Sequence, residues 1–151
     1  MDVGVCSTVK NCEIGGGTRI WNYCNLYGCK IGQNCKIASY VEIGHGVEVG
    51  DNCKIEAYAF IPQGVHVGNN VFVGPHVVFT NDKYPKAREA DWMLSETYVQ
   101  DNVSIGANCT VLSGVTLHKG CMIGAGSVVS CDVPANSKWY GPKAENRGSI
   151  H

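Results

Sequence analysis

Along most of this chain an aliphatic residue, or in one case a phenylalanine, stands at every sixth position: Ile31, Ile37, Ile43, Val49, Ile55, Ile61, Val67, Val73 and Phe79 follow one another without a miss. After a single break the beat returns at Val99, Ile105, Val111, Leu117, Ile123 and Val129. Neither the 3.6-residue period of a helix face nor the two-residue alternation of a half-buried strand produces a six-residue beat, so the repeat is itself the architectural unit. Three such units, eighteen residues, are expected to close one turn of a triangular parallel β-helix whose turns stack at about 4.8 Å. The periodic aliphatics would then fill its axis. Glycine commonly follows them, at Gly32, Gly44, Gly50, Gly68, Gly74, Gly106 and Gly124, and is expected to allow the tight corner between faces.

The breaks in the beat predict the rest of the organisation. From Phe79 to Val99 is twenty residues instead of six, so a loop insertion, 80–98, must protrude from an all-β domain spanning 1–133. Its residues include Pro85, several charges and the aromatics Tyr84 and Trp92, a composition suited either to ligand contact or to packing against another subunit. Five-residue steps at Val9 to Ile14 and Leu26 to Ile31 predict less regular first turns. Pro134 is expected to end strand pairing and release a basic tail, 134–151.

Residues eighteen apart should stack, once the fourteen extra residues of the loop are subtracted. Gly74, Gly106 and Gly124 then form one column and Pro75, Ala107 and Ala125 the next, leaving one corner almost bare. A narrow pantetheine arm fits such a corner, although small residues also simply suit tight turns. A second, polar column runs His45, Gln63, Asn81, Ser113, Cys131, and His76 stacks with Asn108 and Gly126 beside the bare corner.

A net charge of −1 with both signs scattered argues against nucleic acid or an anionic membrane as the main partner. No apolar run approaches the roughly 20 residues of a membrane span, and the first residues lack a signal-peptide core, so a cytoplasmic protein is expected. Of nine cysteines, seven (Cys12, Cys24, Cys29, Cys35, Cys53, Cys109 and Cys121) stand two places before a repeat aliphatic, a slot filled elsewhere by Val or Ala. They read as compact, reduced core residues that burial should make inert. No C-x-x-C pair exists, and no two of the five histidines are five apart, as the zinc carbonic anhydrases built on such prisms require. No metal is expected. The outward positions lack the threonine rows of an ice-binding solenoid.

Two strings are more specific than the beat: Gly17-Thr18-Arg19-Ile20-Trp21, and Asn70-Val71-Phe72-Val73-Gly74-Pro75-His76-Val77-Val78-Phe79-Thr80-Asn81-Asp82-Lys83-Tyr84-Pro85 at the loop. With the tail Val133-Pro134-Ala135-Asn136 and Tyr140-Gly141, they resemble the hexapeptide-repeat nucleotide-sugar N-acetyltransferases that act on dTDP- or UDP-linked 3-amino-hexoses. The resemblance implies a left-handed winding, acetyl-CoA as co-substrate, a nucleotide-linked amino sugar as acceptor, a role in surface-polysaccharide (lipopolysaccharide, O-antigen) biosynthesis, and a homotrimer with sites between subunits. On this reading the donor lies along Gly106, Ala107, Gly124 and Ala125 with its nucleotide toward Lys143 and Arg147. The tail departs from the family at Gly141-Pro142-Lys143-Ala144, which changes the backbone amides open to the adenine. Asn81 and Asp82 would orient the sugar or its amine, with Asp82 or His76 accepting the proton. Lys83, Tyr84, His45 and Gln63 would contact the acceptor. O-acetylation of a sugar or other small hydroxyl acceptor is the alternative reading.

Overall fold

The computed structural model describes residues 2–88 and 90–141. These residues wind through twenty-one short strands sorted into three parallel sheets of eight, seven and six strands. The sheets are the faces of a triangular prism. Face A carries strands such as Lys54–Ile55 and Phe72–Val73, face B Phe60–Ile61 and Val78–Phe79, and face C Val65–Val67 and Thr97–Val99. Among the described residues there is no helix, and so none long and apolar enough to cross a membrane.

Most two-residue strands point one side chain out and the next one in, so Lys54 is exposed while Ile55 is buried. On face A the inward residues Ile20, Ile37, Ile55, Val73, Ile105 and Ile123 lie in direct register. All are buried, and each removes apolar surface worth about 1.5–3 kcal/mol if fully transferred from water.

The corners refine the expectation about glycine. Gly32, Gly50, Gly74 and Gly106 do not have the left-handed backbone. A Cβ on Gly74 would stand 2.7 Å from the Ala107 nitrogen, and one on Gly106 2.6 Å from the Ala125 nitrogen, so the constraint there is close approach of the next turn. Positive φ falls instead at the third corner place, taken by Asn34, Asn52, Asn70, Asn102, Asn108 and Asn136 among others, because asparagine tolerates that region better than most residues. The C–A corner is further tied by a side-chain ladder: Asp51, Asn69 and Asp101 accept the backbone N–H groups of Gln33, Asp51 and Asn69 at 2.7, 2.8 and 2.7 Å.

All nine cysteines are free thiols, with only Cys6 and Cys131 exposed. Their slot asks for more than small size. Cys24, Cys35, Cys53 and Cys109 each point Sγ at a corner carbonyl of the next turn, 3.0 to 3.1 Å away, as the Thr18 hydroxyl does to Gly32. Burial pushes the Cys24, Cys109 and Cys121 thiols up, and burial with the Cys12 thiol carries Cys29 up to about 12. Cys35, fully buried, shifts the other way. Its hydrogen bond with the Cys53 thiol lowers it to about 7, while Cys53 is raised by the same contact and by burial.

The early turns take seventeen residues, pairing Asp2 with Arg19 and Val9 with Leu26, as the five-residue steps implied. Two boundaries differ from the sequence reading. Strand pairing resumes at Thr97, which is buried, so the loop is 80–96 and not 80–98. The chain also stays on the prism past Pro134, since Lys138–Trp139 pairs with Met122–Ile123. Pro134 lies in the last described turn, where the N–H it lacks has no described turn above to donate to. It therefore costs no ladder bond.

Two outcomes test this packing. Ile61→Ala, which empties a fully buried axial position, should destabilise the protein by about 2–5 kcal/mol in denaturant titration. A thiol reagent should modify Cys6 and Cys131 at once in the folded protein, Cys35 more slowly, and the remaining buried thiols only on unfolding.

Candidate functional site

The A–B corner is divided in two. From Gly74 upward it carries Gly74, Gly106 and Gly124 in one column and Pro75, Ala107 and Ala125 in the next, as the stacking arithmetic anticipated. Below, the third corner place holds Tyr23, Tyr40 and Tyr58, and His76 completes the series. Their four rings stack with centroids 5.1, 4.8 and 4.7 Å apart and within 10° of parallel. All four residues have φ between 58° and 63°. For tyrosine or histidine this region is strained by roughly 1–3 kcal/mol, which ring stacking helps to offset. The ladder went unread in the sequence, although Tyr23, Tyr40 and Tyr58 recur at the turn spacing.

His76 is thus the join between an aromatic column below and a bare corner above. Its ring is exposed and braced on one face by Tyr58. At the upper end Tyr140 lies against Gly124, where an added Cβ would come 2.5 Å from the ring. Ser127, buried, fixes that end: its hydroxyl donates to the Gly124 carbonyl and accepts the Gly141 N–H, both at 2.7 Å. Lys143 and Arg147, expected at the donor's nucleotide, lie outside the described residues.

The B–C corner holds the other predicted group. His45, Gln63, Asn81, Ser113 and Cys131 stand in register there, by the pairing of the adjacent face-B strands. Asn81 donates its amide to the Gln63 carbonyl at 3.0 Å. Asp82 accepts the Tyr84 N–H at 3.1 Å, an Asx turn that opens the loop. Lys83 Nζ lies 5.6 Å from the centre of the Tyr84 ring, and Tyr84 is exposed. Asp82, Lys83, Tyr84, Trp92 and Leu94 help to line a loop cavity of about 390 Å³. His76 and Asn81 lie at opposite edges of face B, separated by roughly 16 Å of extended chain. Within one chain, then, the structure does not bring His76 together with Asn81 and Asp82.

Sequence reasoning missed how the loop is returned to the prism. Glu96, its last residue, takes His66 Nε2 at 3.1 Å and the Tyr98 hydroxyl at 3.0 Å on its two carboxylate oxygens, and the His66 and Tyr98 rings stack at 4.8 Å. His66 first, and then Tyr98, hold the Glu96 carboxyl below the usual carboxylate range.

The six-residue repeat has counterparts among known proteins. The sequence matches the bacterial transferase hexapeptide family (six repeats) over residues 11–45, 28–63, 46–81 and 96–131, well over half of the chain. The chain belongs to that family. It is 36% identical over 81 residues to the galactoside O-acetyltransferase of Lactococcus lactis, an alignment covering 47% of this chain and 39% of that protein. Its fold superimposes with a TM-score of 0.71 on PerB of Caulobacter crescentus, solved with CoA and GDP-perosamine, at 20% identity over 87% of this chain and 57% of PerB. It superimposes with a TM-score of 0.52 on an AntD variant, an N-acyltransferase of Bacillus cereus solved with dTDP and coenzyme A, at 19% identity over 96% of this chain and 81% of AntD. The matched stretch spans about two fifths of the Lactococcus protein. The likeness to PerB and AntD is one of fold, the left-handed prism of hexapeptide transferases.

If the bare corner is the donor path, Ala125→Leu should weaken acetyl-CoA binding by at least about tenfold in calorimetry while leaving the melting temperature unchanged, since Ala125 faces outward. Unchanged affinity in a stable variant would remove the corner from the donor site.

Proposed function

We propose that this chain is an acetyl-CoA-dependent N-acetyltransferase acting on the amino group of a nucleotide-linked amino sugar, a dTDP- or UDP-3-amino-3-deoxyhexose, in cytoplasmic synthesis of a surface polysaccharide. The observation that carries the reading is the bare upper A–B corner ending at His76. A pantetheine arm along it can bond its amides to exposed backbone and deliver the thioester to an imidazole whose ring is already held in place. CoA with GDP-perosamine on PerB, and coenzyme A with dTDP on the AntD variant, support the same reading on proteins of the same fold.

In the reaction a neutral sugar amine attacks the thioester carbonyl carbon. The new C–N bond forms, the tetrahedral oxyanion collapses, the C–S bond breaks, and CoA leaves as a thiolate that takes up a proton. The amine's own proton passes to His76, the one predicted catalytic side chain that stands on the donor's corner. Holding the amine against the carbonyl supplies much of the acceleration, since an oriented pair reacts as a single molecule.

Asn81 and Asp82 stand a corner away, so they reach this chemistry only from another subunit. A homotrimer with its sites between prisms satisfies that requirement and closes symmetrically. The loop residues Lys83 and Tyr84, with His45 and Gln63 on the same corner, would face the acceptor across the subunit boundary. The amide of Asn81 and the carboxylate of Asp82 would then orient the sugar.

O-acetylation is the second reading, favoured by the name of the Lactococcus relative. A hydroxyl is a far poorer nucleophile than an amine and depends more heavily on a base. The two readings part in a thiol-release assay with acetyl-CoA and a panel of 3-amino, 4-amino and hydroxyl sugars, free and nucleotide-linked. Turnover confined to hydroxyl acceptors would overturn N-acetylation.

His76→Asn should lower kcat by about 10² to 10⁴ without loss of melting temperature, since asparagine suits the positive φ and stands at the same corner place as Asn108. Asp82→Asn keeps an oxygen to accept the Tyr84 N–H and removes only the charge, so a comparable fall in kcat there would move the base to Asp82. Light scattering should give three times the 16.2 kDa chain mass.

A further inference from the structure

Below the bare corner, face A presents one cation at the same place in three successive turns. Arg19, Lys36 and Lys54 lie in direct register. Like charges directly opposite on neighbouring strands repel, so this column weakens the sheet unless something neutralises it. The outer two are partly neutralised: Asp2 lies 3.0 Å from Arg19, and Glu56 lies 2.6 Å from Lys54. Among the described residues no carboxylate lies within ion-pair distance of Lys36, the middle one.

Immediately around the edge, the column that is glycine higher up is occupied by Trp21, Ala38 and Glu56. Between the indole and the carboxylate only a methyl group intervenes. The result is a slot two turns high, about 9.6 Å. Trp21, Lys36, Ala38, Ser39, Lys54 and Glu56 line the resulting cleft of about 510 Å³. Its wall is aromatic, with the Arg19 guanidinium 4.7 Å from the Trp21 ring centre, and its floor carries an unmatched ammonium and a hydroxyl. A planar ring joined to an anion suits it.

We propose that this cleft holds a nucleoside diphosphate, the nucleotide end of the acceptor, with its pyrophosphate between Lys36 and Lys54 and its base against Trp21. The proposal rests on the transferase reading above and assigns that reading's acceptor a second contact region. Gly74, beside His76, stands two turns above Ala38, again about 9.6 Å. That is the reach of a hexose with its phosphate link. The donor thus descends the bare corner from the tail end, the acceptor ascends from the cleft, and amine and thioester meet at His76. A free amino sugar would leave Lys36 without a counter-charge, so the cleft selects nucleotide-linked acceptors.

The same nucleotide chemistry is present in the donor, so the test carries an arm for each source. Calorimetry with UDP and dTDP as probes for the acceptor and 3′,5′-ADP as probe for CoA is run on the parent protein, Lys36→Glu, Lys36→Arg and Ala38→Leu. Lys36→Glu places a carboxylate between two cations and so should not impair folding, which keeps the test intact even where Ala38→Leu fails to fold. The dissociation constant of UDP or dTDP should rise at least about tenfold in Lys36→Glu and Ala38→Leu, stay near parental in Lys36→Arg, and remain within about twofold for 3′,5′-ADP throughout. The proposal is overturned by unchanged UDP and dTDP affinity in folded Lys36→Glu, by a loss confined to 3′,5′-ADP, or by failure of the parent to bind UDP or dTDP. Thiol release to a free amino sugar alongside any of these results would leave the transferase reading standing without the cleft.

Discussion

Vertical register governs this molecule. Each residue sits over its counterpart one turn away, bonded to it through the backbone, so any property of one position is repeated or opposed at about 4.8 Å above and below. Axial isoleucines and valines profit because like meets like in a continuous apolar column. Corner asparagines and aspartates profit because one side chain caps the preceding turn's amide. Identical charges suffer, and the column of Arg19, Lys36 and Lys54 is where that cost is visible. Repetition also converts small local choices into long features: one Gly-Pro and two Gly-Ala pairs in succession make a groove, and three tyrosines and a histidine make a stacked column.

The sequence revealed the prism because a six-residue period has no other simple realisation, and it revealed the columns because register is arithmetic. Ala107 over Ala125 and Asn81 over Gln63 were both readable that way. The tail was misread because Pro134 was judged as a mid-sheet residue, whereas it occupies the last described turn, where its missing N–H goes unused. The bounds of the loop were set too wide because they were drawn between the axial residues Phe79 and Val99, whereas the strand begins two residues before Val99. Only tertiary contact shows that Thr97 is buried and Tyr98 bound to Glu96.

The candidate site was less legible. Its smooth half followed from the stacking arithmetic, but Tyr23, Tyr40 and Tyr58, though they recur at the turn spacing, were not read as a set because tyrosine is a poor guess for a positive-φ corner. The separation of His76 from Asn81 follows from the triangle itself. Six residues of chain carry the backbone from one corner to the next, so groups adjacent in sequence are directed to different neighbours. Within one chain the predicted trio of side chains, His76, Asn81 and Asp82, is therefore divided between two corners.

The fixed ends of the loop carry a consequence for assembly. Asn81 is bonded to the turn beneath it and Glu96 is held by His66 and Tyr98, so the segment is a tether fastened at both ends to one edge of the prism. A doubled chain of roughly seventeen residues extends no more than about 28 Å from its moorings. Any partner that the loop serves must come within that radius of the B–C edge. Lengthening the tether would relax the geometry of assembly, and cutting it at its exposed middle would free two arms that no longer share a common aim.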